Sequence, residues 1–209
     1  MKYKLILAAF AIFSFTGDSL AQLPGAKAIK NSLPKVTLGA KLGANFSELH
    51  AANVTMIRQG YKPSIVGGLF LSMRKGRYGG RIEGLLNPVN YTFAYNASQD
   101  GKYKNLYLDI PLLFEYRLFH WLWAQAGPQY SDVITVTAHP NPRPATDPQT
   151  HFKSEFSAVI GLEAKLPAHL MLGARYILGV TNVNNQLVTE VPGSWKNRAA
   201  QVYVGFRFF

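Results

Sequence analysis

The chain of 209 residues contains no cysteine. That absence excludes a disulfide framework, a thiolate metal site and a cysteine nucleophile. Charge is scarce at 16% of residues, and acids number 11 against 22 lysines and arginines. Beyond the N-terminus there is no run of about 20 apolar residues, which excludes a protein that crosses a membrane by helices. The 5 histidines have no metal-ligand spacing. No glycine-rich phosphate loop occurs, and the sequence implies no cofactor. What remains is a chain that is 48% hydrophobic and 13% aromatic, with a formal charge of +11.

The N-terminus has the layout of a secretory signal. Lys2 and Lys4 precede an apolar stretch, Leu5 to Phe15, and Ser19-Leu20-Ala21 is a small-x-small cleavage site. The apolar stretch is too short to anchor the chain in a bilayer. The expected domains are a cleaved signal peptide at 1–21, a periplasmic lead-in at 22–35 and a barrel at 36–209. Removing Lys2, Lys4 and Asp18 leaves a charge of +10. An exported basic protein is expected to meet anionic lipid head groups and lipopolysaccharide phosphates rather than nucleic acid.

The stretch Tyr103 to Leu118 sets the pattern for the rest. Leu106, Leu108, Ile110, Leu112, Phe114, Tyr116 and Leu118 fall on one face; Tyr107, Asp109, Pro111, Leu113, Glu115 and Arg117 fall on the other. Period two marks a β-strand with unlike faces. Its length suits a tilted membrane-crossing strand, which needs about 9–11 residues.

The alternation recurs in Val36–Phe46, Lys62–Met73, Tyr78–Asn87, Leu122–Tyr130, Phe152–Leu166, Leu170–Val180 and Arg198–Phe209. Residues 89–95 and 131–136 are read as extensions of their strands. Long connections at 47–61, 96–102, 137–151 and 181–197 alternate with short turns at 74–77, 119–121 and 167–169, the first of them read as basic. The count and the alternation predict an all-β fold, an eight-stranded antiparallel up-and-down transmembrane barrel with a filled polar lumen. No charge falls on the outward face of the strand cores. Lys41, Arg81, Glu83, Asp109, Glu115, Arg117, Lys153, Glu155, Glu163, Lys165, Arg175 and Arg207 all fall inward. An interior of eight strands is narrow enough for side chains to fill, so all of these except Lys153 are proposed as a structural charge network. Tyr78, Tyr116, Trp121, Trp123, Tyr130 and Tyr176 are expected in interfacial girdles. Pro63, Pro111 and Pro128 lack a ladder donor and are expected at bulges or strand ends. A soluble lipocalin-like ligand-binding barrel is the alternative, but it would carry its charges outside.

Residues Gly39 to Asn45 (GAKLGAN) and Tyr107 to Leu113 (YLDIPLL) carry a family resemblance. Ala126-Gly127-Pro128, Arg175-Tyr176 with Gly179, and the aromatic C-terminus add to it. With these the mature chain resembles the PorT-like outer-membrane β-barrel family of Bacteroidetes. The expected function is that of a non-enzymatic outer-membrane barrel with a structural or interaction role through its external loops; what the resemblance adds is a role accessory to protein secretion. The expected partners are outer-membrane lipid and lipopolysaccharide, the barrel assembly machinery during insertion and a protein at the external loops. Phe208 keeps the outward register and Phe209 departs from it. The competing reading is an enzyme acting on lipid or peptide through His50, His139 or His151 in the outer loops, but no nucleophile stands at a diagnostic spacing from them. The prediction is therefore no catalytic, cofactor or metal residues.

Overall fold

The structure is a computed structural model. It describes residues 33–51, 62–96, 99–139, 154–182 and 195–208. The expected signal peptide and the lead-in up to residue 32 lie outside the described residues, as do Phe209 and most of the long connections. Lys35 to Phe209 form one compact unit.

Eight strands make it up: β1 (Lys35–Ala51), β2 (Lys62–Lys75), β3 (Tyr78–Asn96), β4 (Gln99–Arg117), β5 (Leu122–His139), β6 (Glu155–Lys165), β7 (Leu170–Gly179) and β8 (Trp195–Arg207). Each pairs antiparallel with its sequence neighbour, and β1 pairs with β8 to close the barrel. The closing ladder runs from Gly39 opposite Arg207 to Ala51 opposite Trp195. Closure leaves no unpaired edge, which is a condition for strands in hydrocarbon.

The faces follow the alternation. Ile65, Leu42, Ile160 and Leu112 are exposed on the outside, Ile65 to 68%. Lys41, Arg81, Glu83, Glu115 and Glu163 are buried inside. A soluble barrel would have this arrangement reversed. Aromatic rings cluster on the outside at the short-turn end, where Tyr78 lies 5.4 Å from Tyr116 and Phe119 stacks 6.2 Å from Trp121. At the other rim Tyr130 meets Phe156 at 5.2 Å. These positions suit ring girdles at the two interfaces.

Glycine spacing explains how the narrow lumen holds large side chains. Gly161 pairs with Arg175, Gly173 with Tyr203, Gly79 with Glu115 and Gly68 with Lys41. A Cβ on Gly173 would meet the Tyr203 ring, and one on Gly39 would meet Phe70. In these four pairs a large inward residue has a glycine opposite it. The turn after β2 holds Gly76 at φ 62°, as the first central position of a II′ hairpin requires. The turn after β6 puts Ala168 and His169 at φ 54° and 62°.

Several expectations need correction. The β3–β4 hairpin reaches Asn96 and Gln99, so most of the expected 96–102 loop is strand. β1 reaches Ala51 and β5 reaches His139 for the same reason. Beyond the hydrocarbon no lipid imposes an apolar face on the sequence, while the backbone ladder continues. Pro63 does sit at the start of β2. Pro111 and Pro128 cause no bulge, because pairs drop out of the ladder beside them while the register on either side is unchanged. A closed barrel fixes the stagger of every strand, so one missing donor costs a bond and leaves the alignment intact. The register shifts lie instead between Ala94 and Asn96 and between Leu106 and Tyr107. Trp123 is not a girdle residue. It is 2% exposed, inside the lumen.

Candidate functional site

Every strand contributes an inward polar or charged side chain to one cluster at the level of the short-turn half. Arg81 on β3 is its centre. Its Nη1 and Nη2 donate to Glu163 Oε2 and Oε1 at 2.5 and 2.7 Å. Its Nε lies 2.9 Å from Glu115 Oε1, close enough for an ion pair but out of line for a hydrogen bond. Arg74 on β2 forks onto Glu115 at 2.6 and 2.9 Å and reaches Glu163 at 3.0 Å. Glu83, two residues along β3 from Arg81, accepts from Lys41 on β1 at 2.5 Å and from Arg175 on β7 at 2.7 Å. Arg175 Nε donates to Gln201 at 2.7 Å, and Gln125 donates to Glu115 at 2.9 Å. Side chains of Arg81, Arg175 and the three glutamates are 0% exposed.

Aromatic rings cap the cations. Arg81 lies over Phe70 at 4.5 Å, Lys41 over Tyr203 at 4.2 Å, and Arg74 and Lys165 both over Trp123 at 4.4 and 4.3 Å. Contacts of this kind favour a desolvated cation over a ring face. An apolar layer of Leu113, Val159, Ile177 and Ala199 lies above. Beyond it, towards the long connections, Asp109 and Glu155 line a second polar region around a cavity of about 30 Å³.

The predicted charge network therefore divides. Lys41, Arg81, Glu83, Glu115, Glu163 and Arg175 come together in the cluster. Asp109 and Glu155 are buried in the outer polar region, where Asn87 donates to Asp109 at 2.8 Å and Asn197 to Glu155 at 2.5 Å. Arg117, Lys165 and Arg207 sit half-buried at the short-turn rim. Arg207 donates there to the backbone oxygens of His169 and Leu166. Arg74 was expected in a basic turn but belongs to the cluster. Continuing the inward series Ser64, Val66, Gly68, Phe70, Ser72 by one step finds it. The neutral partners Gln125, Gln201 and Tyr203 carried no charge signal in the sequence.

What this arrangement does chemically is close the lumen. Paired and hydrogen-bonded charges can be buried where unpaired ones cannot. Among the described residues, no group of three His, Asp or Glu is placed to hold a metal ion. His50 and His139 are strand residues near the outer ends of β1 and β5, and His151 lies outside the described residues.

The sequence profile of the outer membrane protein β-barrel domain matches residues 7–208. The chain belongs to that family. No curated protein matches the sequence. Among solved structures, the chain is similar in fold to Ail, the attachment invasion locus protein of Yersinia pestis, solved with the heparin analogue sucrose octasulfate. That match has a TM-score of 0.50 and 13% identity, over 83% of this chain and 99% of that one. Neisserial surface protein A matches at a TM-score of 0.47 and 10% identity, over 83% and 99%. OprG from Pseudomonas aeruginosa matches at 0.45 and 13%, over 83% and 95%.

Proposed function

We propose that this barrel is a non-enzymatic, closed outer-membrane scaffold that acts through its external connections. The observation that carries this reading is the cluster around Arg81, whose central side chains Arg81, Glu83 and Glu163 are 0% exposed inside the lumen. A pore would need an open lumen, and an eight-stranded barrel is just wide enough for side chains to fill. The connections 52–61, 140–153 and 183–194 are then the candidate contact segments for a protein partner or lipopolysaccharide. The resemblance to PorT-like barrels favours a protein partner in a secretion apparatus.

The opposite rim supports a lipid contact. Lys35, Lys75, Arg77, Arg117, Lys165 and Arg207 surround it, and the acids nearest in those strands, Glu115 and Glu163, are buried in ion pairs. Basic side chains next to an aromatic girdle suit anionic head groups, at about 1 kcal/mol per charge near the surface. The test of the closed lumen is reconstitution in a planar bilayer. The expected record shows no steady conductance steps. Stable ion-selective steps refute the scaffold reading in favour of transport. A triple His50→Ala, His139→Ala, His151→Ala variant that loses a cellular phenotype while remaining folded points instead to an enzyme in the outer loops.

A further inference from the structure

The outer polar region has an unusual balance of hydrogen-bonding groups. The amide nitrogens are spent within its wall. Asn45 Nδ2 donates to Asn87 Oδ1 at 3.0 Å, Asn87 Nδ2 to Asp109 Oδ2 at 2.8 Å, and Gln129 Nε2 to Ser131 Oγ at 3.1 Å. The atoms left over are oxygens. Asn45 Oδ1, Ser47 Oγ, Gln129 Oε1 and Glu155 Oε1 are buried with no hydrogen-bond partner. Their residues, with Asp109, line the same cavity, and each of the five is at most 3% exposed. Among the described residues neither Asp109 nor Glu155 forms an ion pair, whereas the three glutamates of the inner cluster all do.

Buried carboxylates without a cation are costly, and so are buried acceptors without a donor. One occupant meets both needs. We infer that this cavity is a binding site for a hard divalent cation of the Ca²⁺ class, held by Asp109 and Glu155 with neutral oxygens from Asn45, Ser47 and Gln129. Two carboxylates match its charge. Ca²⁺ accepts six to eight oxygen ligands, including amide and hydroxyl oxygens, in irregular geometry, while Mg²⁺ prefers to keep its water. A cavity of about 30 Å³ holds an ion with little water. The site draws ligands from β1, β4, β5 and β6. A bound ion would tie those four strands together.

The test uses the whole chain refolded in detergent micelles free of lipopolysaccharide. Tb³⁺ replaces Ca²⁺, and excitation passes through the ring of Tyr107, which lines the cavity. The expected result is sensitised Tb³⁺ emission that Ca²⁺ displaces more readily than Mg²⁺, and that a D109N/E155Q double variant loses. If that variant does not fold, Gln129→Leu keeps both carboxylates and removes one oxygen; its folded barrel is expected to bind Tb³⁺ about tenfold more weakly or worse. No emission from the unaltered chain, or emission unchanged in the folded variant, overturns the proposal and leaves a cavity occupied by water.

Discussion

Replacing Glu163 with glutamine tests the reading of the inner cluster as a balance of buried charge. Lys41, Arg74, Arg81 and Arg175 face Glu83, Glu115 and Glu163, so four cations meet three carboxylates. Glu163→Gln leaves four against two. Glutamine keeps one of the two oxygens, so the fork from Arg81 at 2.5 and 2.7 Å falls to a single bond, and the new amide NH2 faces a guanidinium instead of pairing with it. Breaking one partner of a buried pair costs about 3–5 kcal/mol. Arg74→Gln has the opposite effect on the balance, leaving three against three. Its cost is that of lost hydrogen bonds at the edge of the cluster, about 1–3 kcal/mol. The double variant leaves three against two and is expected to lose less than the sum of the single losses. The assay is reversible urea unfolding in lipid vesicles, read by tryptophan fluorescence and by the folded band on a gel, with the slope held equal among variants. Equal costs for Glu163→Gln and Arg74→Gln would refute the charge-balance argument and make hydrogen-bond number the controlling quantity.

Three further outcomes are expected. Gly173→Val drives a side chain into the Tyr203 ring, whose hydroxyl donates to Gln125 Oε1 at 3.2 Å, and costs about 1–3 kcal/mol in the same unfolding assay. Ile160→Arg places a cation on the lipid face near the middle of β6 and costs about 2–4 kcal/mol, whereas Ile160→Leu is close to neutral. Ala168→Gly relieves a left-handed backbone at φ 54°, worth about 1 kcal/mol before the added freedom of the unfolded chain is subtracted, and shows as a small gain in unfolding midpoint.

The barrel was legible in the sequence because two environments as unlike as lipid and a charged lumen force a strict period of two. The same rule located Lys41, Arg81, Glu83, Glu115, Glu163 and Arg175 on the inner face. What it could not supply was depth along the strand. Arg117, Lys165 and Arg207 share a face with Arg81 and yet lie at the rim, because period two says which way a residue points and not how far it is from water. Trp123 was misplaced for a related reason: an aromatic residue near a strand end suits a girdle or a cation partner, and only its parity, inward with Gln125, told the two apart. The outer oxygen-lined cavity was illegible because it depends on which ends of Asn45 and Gln129 are spent on neighbours. Strand ends beyond the membrane were missed where both faces turn polar.

The most direct test of the account is the state of the protein in isolated outer membranes. A folded species there, resistant to denaturation at room temperature and shifting in gel mobility on boiling, is what a closed eight-stranded membrane barrel predicts. Recovery as a soluble periplasmic protein without that shift would contradict it.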